Sequence, residues 1–325
     1  MPAFLFYMIL IFTIAADQDT ADVVRWLHRF DADFLRINEN DSVQVHYLDL
    51  CNNQLVLNIN GRYISLEDID MVWYRKGSLL RNMPFTGNEA FDRYLRQERE
   101  KLEAYVALLL EQKPHLGTFL GRHPNKLEVL QAAQNLGLKI PATYICTSSE
   151  AIAQVQSNHP MLITKTINHP ISLDSQEVWL SMYTQRIDKN TSELPANFGA
   201  SLVQEGIAKM GDIRVVVFDG VCYGMLVFSQ NNEQTQIDFR QIPEGYSHQV
   251  TPFQLPKAIE AKVMQLLEQF DIAFASVDLI YSKDKAYYFL EFNPSGQFGM
   301  TSIPCNYQLD KKIAQYLINN AKKTN

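Results

Sequence analysis

The residues best suited to chemistry lie in two apolar runs joined by a short polar connection. Phe274-Ala-Ser-Val-Asp-Leu-Ile-Tyr281 and Ala286-Tyr-Tyr-Phe-Leu-Glu-Phe-Asn-Pro-Ser-Gly296 are rich in aromatic and branched side chains and read as strands. Ser282-Lys-Asp-Lys285 between them has hairpin length. A symmetric fold-back sets Tyr281 against Ala286 and Asp278 against Phe289, with Glu291 one diagonal away. Side chains alternate along a strand. Asp278, Glu291 and Asn293 therefore leave the hairpin on one face, and Val277, Leu279, Tyr288, Leu290 and Phe292 form a core on the other. Carboxylates on so apolar a hairpin cost free energy unless a counter-charge meets them. Oxygen donors at this spacing suit Mg²⁺ held together with a phosphate-bearing substrate. The simpler alternative has Asp278 and Glu291 facing solvent or pairing with a lysine.

Cations stand upstream at matching places. Asn125-Lys-Leu-Glu128 opens a helix as a capping box, with Asn125 at the N-cap and Glu128 three residues later. Gly137 closes that helix and Pro141 follows. Lys126 falls in its first turn, where free N–H groups and the helix dipole favour anions, so a lysine there is disfavoured until an anion joins it. Lys165 lies inside the apolar strand Leu162-Ile-Thr-Lys-Thr-Ile167, and lysines are seldom buried unpaired. It needs a phosphate or a carboxylate, or else has a structural role; for Lys126 the competing reading is an exposed lysine. Arg214 is the one charge within Ile213-Arg-Val-Val-Val-Phe218, which Asp219-Gly220 turns into the strand Val221–Phe228. Arg240 follows in Asp238-Phe-Arg240. Ion pairing with Asp212 or Asp238 is the competing role for both arginines.

The chain that must position these groups has 325 residues, 46% hydrophobic and 20% charged, enough for two or three lobes with ample core. Its net charge of −7 argues against a general nucleic-acid binder. Cys51, Cys146, Cys222 and Cys305 are too scattered for metal or redox spacing, which fits a reducing cytoplasm. The apolar run Phe4–Ala15 lacks a preceding basic residue and is short for a bilayer, so strand, loop and helix are expected there rather than a signal-peptide core or membrane span. Met8 is an alternative start to Met1. Phe34–Ile37 and Met71–Tyr74 read as further strands, and Val43–Tyr47 with Gln54–Ile59 as a small antiparallel insert. Asn88 to Gln112 is a long amphipathic helix with Phe91, Leu95, Leu102, Tyr105 and Leu109 on one face. Glu177–Thr184 reads as a strand with a polar loop after it to Leu194, and Pro256 starts a helix running to about Phe270. The sequence carries no Gly-x-x-x-x-Gly-Lys phosphate loop, Gly-x-Gly-x-x-Gly turn or Gly-x-Ser-x-Gly elbow, which removes the usual support for kinase, dehydrogenase and hydrolase readings.

Asp278, Glu291 and Asn293 resemble, one by one, the Asp and Glu-x-Asn that hold Mg²⁺ in the last hairpin of the ATP-grasp superfamily. The resemblance extends backwards. Lys126 and Lys165 look like its two phosphate-contacting lysines, and Val203-Gln-Glu-Gly-Ile207 looks like its adenine hinge, which implies that Gln204, Glu205 and Ile207 hold the nucleotide. Arg214 matches the arginine that faces the γ-phosphate and acyl phosphate in related ligases, with Arg240 a second candidate. Glu291–Met300, ending in Gln297-Phe-Gly-Met300, and Ile303-Pro-Cys-Asn-Tyr307 are similar to the graspetide ligases of the microviridin type, grasp-with-spasm branch. This resemblance implies an α/β fold of α+β lobes. These are an N-terminal pre-grasp domain at 1–120, a central ATP-grasp lobe at 121–205, and a C-terminal lobe with the metal hairpin at 206–325.

It further implies ATP and Mg²⁺ as cofactors. The activity it implies is phosphorylation of Glu or Asp side chains of a ribosomal precursor peptide with leader and core segments, and closure of ω-esters with Ser/Thr or ω-amides with Lys. A second copy of the chain is admitted as a partner; nucleic acid and membrane are not. Two alternatives stay open: a ligase adding a free amino acid to a peptide or protein carboxylate, and a nucleotide-gated peptide-binding module without turnover.

Overall fold

Ile9-Leu-Ile-Phe12 is apolar at every position, and all four side chains are buried, as in a strand covered on both faces. The computed structural model describes residues 8–81, 85–119, 124–168, 172–175, 178–181, 183–187 and 194–322. The start of the N-terminal apolar run, Phe4 to Tyr7, lies outside the described residues. So do Glu177, Met182 and most of the polar loop expected before Leu194.

The backbone forms two compact units. One takes residues up to His123, Ile272–Phe274 and Pro294 onward; the other takes Pro124–Asp271 and Ala275–Asn293. In the first unit, β1 (Ile9–Phe12) pairs in parallel with β2 (Phe34–Ile37), and α1 (Gln18–Arg29) connects them. The insert has three antiparallel strands, β3 (Val43–Asp49), β4 (Gln54–Ile59) and β5 (Arg62–Ser65), one more than the expected pair. β6 (Met71–Tyr74) and β7 (His115–Leu116) complete a parallel sheet in the order β2-β1-β6-β7.

Between β6 and β7 runs α2 (Glu89–Glu111), capped by Asn88, whose side chain accepts from the Phe91 N–H. The expected apolar face of α2 is largely outside the core. Val106, Ala107, Leu109 and Leu110 are buried, whereas Phe91, Leu102 and Tyr105 are exposed. Only the last turns of α2 bury apolar side chains.

The segment after the hairpin is fixed within this unit. Buried Arg75 ion-pairs with Asp17 and Asp19 at 3.2 and 3.1 Å and donates to the Gly296 carbonyl at 2.9 Å. Asp19 in turn accepts from the N–H groups of Phe298 and Gly299. Each of the three guanidinium nitrogens of Arg75 thus has an acceptor, which offsets the cost of burying the charge.

Among the described residues, the second unit holds two larger sheets, of four and five strands, and a separate two-stranded pair. α3 (Lys126–Asn135) precedes β8 (Thr143–Ser148), α4 (Ser149–Gln156) and β9 (Leu162–Lys165). β10 (Ser172–Ser175) and β11 (Val178–Ser181) pair with each other. β12 (Gln185–Ile187) is a strand where a loop was expected; pairing with β9 supplies its backbone partners. With β13 (Asn197–Glu205) they give the order β12-β9-β13-β8.

β14 (Lys209–Phe218) and β15 (Val221–Val227) form the expected hairpin, with Asp219 and Gly220 both at positive φ, as a type I′ turn requires. β16 (Val250–Phe253), α5 (Lys257–Gln269), β17 (Phe274–Ser282) and β18 (Tyr287–Asn293) follow, and the second sheet reads β16-β15-β14-β17-β18.

The β17–β18 register differs from the symmetric fold-back. Tyr281 pairs with Tyr287 and Leu279 with Phe289, then a bulge at Leu290 lets Asp278 pair with Glu291 and Ser276 with Asn293. The core face is corrected accordingly. Val277, Leu279, Phe289 and Phe292 are buried, while Tyr288 and Leu290 are only partly so. The extra residue returns Phe289 to the core without moving Glu291 off the face of Asp278.

Candidate functional site

The second unit brings together seven of the ten residues singled out from the sequence: Lys126, Lys165, Arg214, Arg240, Asp278, Glu291 and Asn293. Three adjacent strands supply the centre. Arg214 comes from β14, Asp278 from the neighbouring β17, and Glu291 and Asn293 from β18. Arg214 donates from Nη1 to both Asp278 oxygens, at 3.0 and 3.2 Å. Its alternative partner Asp212 is taken instead by Lys209 at 2.8 Å and by the Ser229 hydroxyl at 2.5 Å.

Lys126 starts α3, where the Asn125 side chain caps the Leu127 N–H. Its Nζ lies 3.0 Å from Glu291 Oε2 and donates to the Thr166 carbonyl, also at 3.0 Å. The anion that a first-turn lysine requires is therefore Glu291. Arg240 grips Asp238 with two bonds, Nε to Oδ1 at 2.8 Å and Nη2 to Oδ2 at 2.7 Å. Asp238 also accepts from the Thr184 N–H. Pairing with Asp238 is thus realised for Arg240, while Arg214 pairs with Asp278.

The electrostatics follow from crowding these charges in a partly dry place. Burial pushes the Glu291 carboxyl up, but Lys165 and Lys126 outweigh it and hold the group at about 2. Burial raises Asp278; Arg214 pulls it partly back and Glu291 pushes it up again. Burial drags Lys165 down to about 8, even with the attraction of Glu291. Among the described residues, the Lys165 ammonium has no hydrogen bond and no ion pair within 4 Å. Asp238 is held low because the bidentate Arg240 outweighs its burial, and the same bonds raise Arg240.

Like charges directly opposite on a sheet repel. Asp278 facing Glu291 is therefore a place that takes up positive charge. Arg214 and Lys126 provide it from the protein. Two carboxylates and the Asn293 amide also form an all-oxygen donor set fitting Mg²⁺, which keeps several ligands for water and phosphate. Among the described residues, no group of three or more His, Cys, Asp or Glu side chains is arranged as a metal cluster.

The remaining three residues lie where β13 ends. Gln204 is buried, with Nε2 donating to Thr143 Oγ1 at 2.8 Å and Oε1 without a partner among the described residues. Glu205 approaches His159 Nδ1 at 3.9 Å, and His159 Nε2 meets Tyr144 Oη at 2.9 Å. Ile207 follows in the connection to β14, where its N–H makes no hydrogen bond among the described residues. Sequence reasoning missed His159, Tyr144 and Lys209. All three are ordinary residues in sequence, and only the tertiary structure brings His159 between Glu205 and Tyr144.

Residues 123–317 match the RimK-like ATP-grasp domain. The chain belongs to the RimK-like ATP-grasp family. Solved structures extend the likeness over almost the whole chain. A RiPP-associated ATP-grasp ligase of Chryseobacterium gregarium, in complex with ADP and a leader and core peptide, superposes with a TM-score of 0.81 at 22% identity, covering 96% of this chain and 97% of that one. The macrocyclase MdnC of Microcystis aeruginosa MRC, bound with precursor peptide MdnA, gives 0.78 at 23% identity over 96% and 99%. The ATP-grasp ligase PsnB, complexed with minimal precursor, Mg and ADP, gives 0.71 at 14% identity over 97% and 98%. No curated protein matches the chain by sequence. The expected α/β ATP-grasp ligase fold is the one found, and among the described residues no helix is long and apolar enough to cross a membrane.

Proposed function

We propose that this ATP-grasp ligase closes macrocycles in a ribosomally made precursor peptide with leader and core segments, acting in the cytoplasm. Glu or Asp side chains of the precursor are activated at the expense of ATP and captured by Ser/Thr hydroxyls as ω-esters, or by Lys amines as ω-amides. The observation that carries the reading is the convergence of Lys165, Lys126 and Arg214 on the opposed pair Asp278 and Glu291. Likeness along nearly the full chain to ligases crystallised with precursor peptides supports the choice of substrate. The lobe boundaries near residues 120 and 205 belong to the same proposal.

Phosphoryl transfer needs alignment and fixed positive charge more than covalent help. Lys165, partly buried and short of an anion, binds phosphate oxygens. Lys126, anchored on the Thr166 carbonyl, adds a second fixed cation. Asp278, Glu291 and Asn293 would hold Mg²⁺, which when bound supplies charge neutralisation on the transferring group. Gln204, Glu205 and Ile207 hold the adenine, the free Ile207 N–H and the unpartnered Gln204 Oε1 being the groups left to recognise it. Arg214 offers a planar fork to the peptide carboxylate as it is phosphorylated. Arg240, rooted on Asp238, stands by as a second cation for that step. The hydroxyl then attacks the activated carbonyl and phosphate leaves, so each ring loses one water overall.

Intact mass of a precursor co-expressed with the ligase tests this. Loss of one water per ring is expected. A mass gain equal to an amino-acid residue selects the free-amino-acid ligase instead, and an unchanged mass with tight binding selects a peptide-binding module.

A further inference from the structure

The β17–β18 hairpin begins and ends in the first unit. Phe274, at the start of β17, and Pro294, directly after Asn293, belong to that unit, and Ala275–Asn293 to the second. Both stems meet one side chain. The Arg75 guanidinium lies 5.7 Å from the Phe274 ring centroid and 5.5 Å from that of Phe298, and the two rings meet edge to face at 6.0 Å. All three residues are buried. The same guanidinium donates to Asp17, to Asp19 and to the Gly296 carbonyl. Burial pushes the Asp17 carboxyl up, but Arg75, Lys76 and Thr20 outweigh it and hold the group below its ordinary value. Asp19 carries the grip along the exit stem: Oδ2 accepts from the Phe298 N–H at 2.7 Å and Oδ1 from the Gly299 N–H at 3.1 Å. Gly299 leaves the space for this, since a Cβ there would stand 2.5 Å from Asp19 Oδ1.

The hairpin has two registers open to it. Continued from Leu279–Phe289 without the bulge, the pairing would set Asp278 against Leu290 and Val277 against Glu291. That slip of one residue would turn Glu291 to the face away from Asp278 and break up the donor set. The turn end is tied locally, where the Ser282 hydroxyl accepts from the Ala286 N–H at 2.9 Å. The bulge takes up one extra residue of β18, so a grip on the exit stem selects it. We propose that Arg75 is a positioning residue of the metal site: through the Gly296 carbonyl and through Asp19 it fixes the exit stem against the entry stem, and so holds the bulged register in which Asp278 faces Glu291. Arg75 acts through the backbone, not on the ion. The inference rests on the reading of Asp278, Glu291 and Asn293 as Mg²⁺ donors.

Mn²⁺ titrated into the full chain with ADP bound tests it, the protein-held ion being read by electron paramagnetic resonance. The variants are R75K, G299A, E291Q and L57A. R75K keeps a charge for Asp17 and Asp19 but has no planar fork to hold Gly296 as well. G299A leaves every charge in place and drives a methyl group at Asp19, so it carries the test should R75K not fold. Both should raise the Mn²⁺ dissociation constant by roughly tenfold, as loss of a supporting residue does at metal sites. Their ADP affinity without metal should stay at the wild-type value. L57A cuts the buried core of the insert sheet in the same unit; its urea midpoint should fall with Mn²⁺ affinity unchanged. Wild-type Mn²⁺ affinity in G299A, with E291Q weakened, overturns the positioning role and leaves the metal site standing. Mn²⁺ affinity that falls in L57A as much as in G299A also overturns it, because the loss then follows stability alone. Unchanged Mn²⁺ affinity in E291Q removes the metal reading and the positioning role with it.

Discussion

Replacing Lys165 with methionine separates stability from function at one position. The Lys165 ammonium sits at about 8 in the fold against an ordinary 10.5, because burial outweighs its attraction to Glu291. The fold therefore bears the cost of a charged lysine at neutral pH. A difference of 2.5 units corresponds to about 3 kcal/mol at 1.36 kcal/mol per unit, a ceiling because water reaches part of the side chain. Lys165→Met keeps the length and removes the charge, so the ligand-free protein gains up to about 3 kcal/mol at pH 7. For a unit of this size that raises the melting temperature by roughly 6–12 °C.

The sign fixes the pH dependence. The unfolded chain binds the proton more tightly than the folded one, so wild-type stability rises with pH from about 8 to 10.5. The advantage of the variant is full below about 8 and vanishes near 10.5. Urea denaturation of both proteins across that range reads it out, with the variant as the control for other titrating groups. Nucleotide titration on the same samples should show ATP affinity down by about 10- to 100-fold, the worth of a charged hydrogen bond to phosphate. A variant no more stable than wild type at pH 7 would falsify the claim that Lys165 is a partly buried cation waiting for an anion. Unchanged ATP affinity would return Lys165 to a structural role.

The other positions give sharper chemical readouts. Asp278→Asn, Glu291→Gln and Asn293→Ala should each cut ATP turnover by more than about 100-fold with the fold intact by circular dichroism; near wild-type rates would remove the Mg²⁺ assignment. Arg214→Lys keeps a charge beside Asp278 but loses the planar fork, so ADP release with full precursor should fall while ATP affinity changes little. Collapse of ATP affinity would move Arg214 to the nucleotide. Arg240→Ala leaves Asp238 buried without its bidentate partner and should cost about 1–3 kcal/mol. Because Arg240 holds Asp238 below its ordinary 3.8, its stabilisation is present above that pH and is lost as pH falls further. In Arg240→Ala acid unfolding therefore begins at higher pH, measured as the acid midpoint; an unshifted midpoint refutes the pairing.

Much of the site was legible in the sequence because its signals are local. Alternation along a strand puts Asp278 in an apolar run and Glu291 two residues before Asn293, whatever the rest of the chain does. Asn125 before Lys126 marks a helix start, and Asp219-Gly220 marks a two-residue turn; each needs only its neighbours. The identity of the partners was not local. Arg214 is equally able to reach Asp212, two positions away, and only the placement of β14 against β17 gives it Asp278 instead.

Register was decided the same way. A fold-back by counting sets Asp278 against Phe289, but burying Phe289 with Leu279 is worth a bulge at Leu290, and the bulge brings the carboxylates face to face. The periodicity of α2 announces an apolar stripe yet cannot say whether this chain buries it, because burial depends on what packs alongside. Spacing along the chain determined which side chains can share a face; tertiary packing decided which faces meet, because pairing strands and burying apolar area involve residues far apart in sequence.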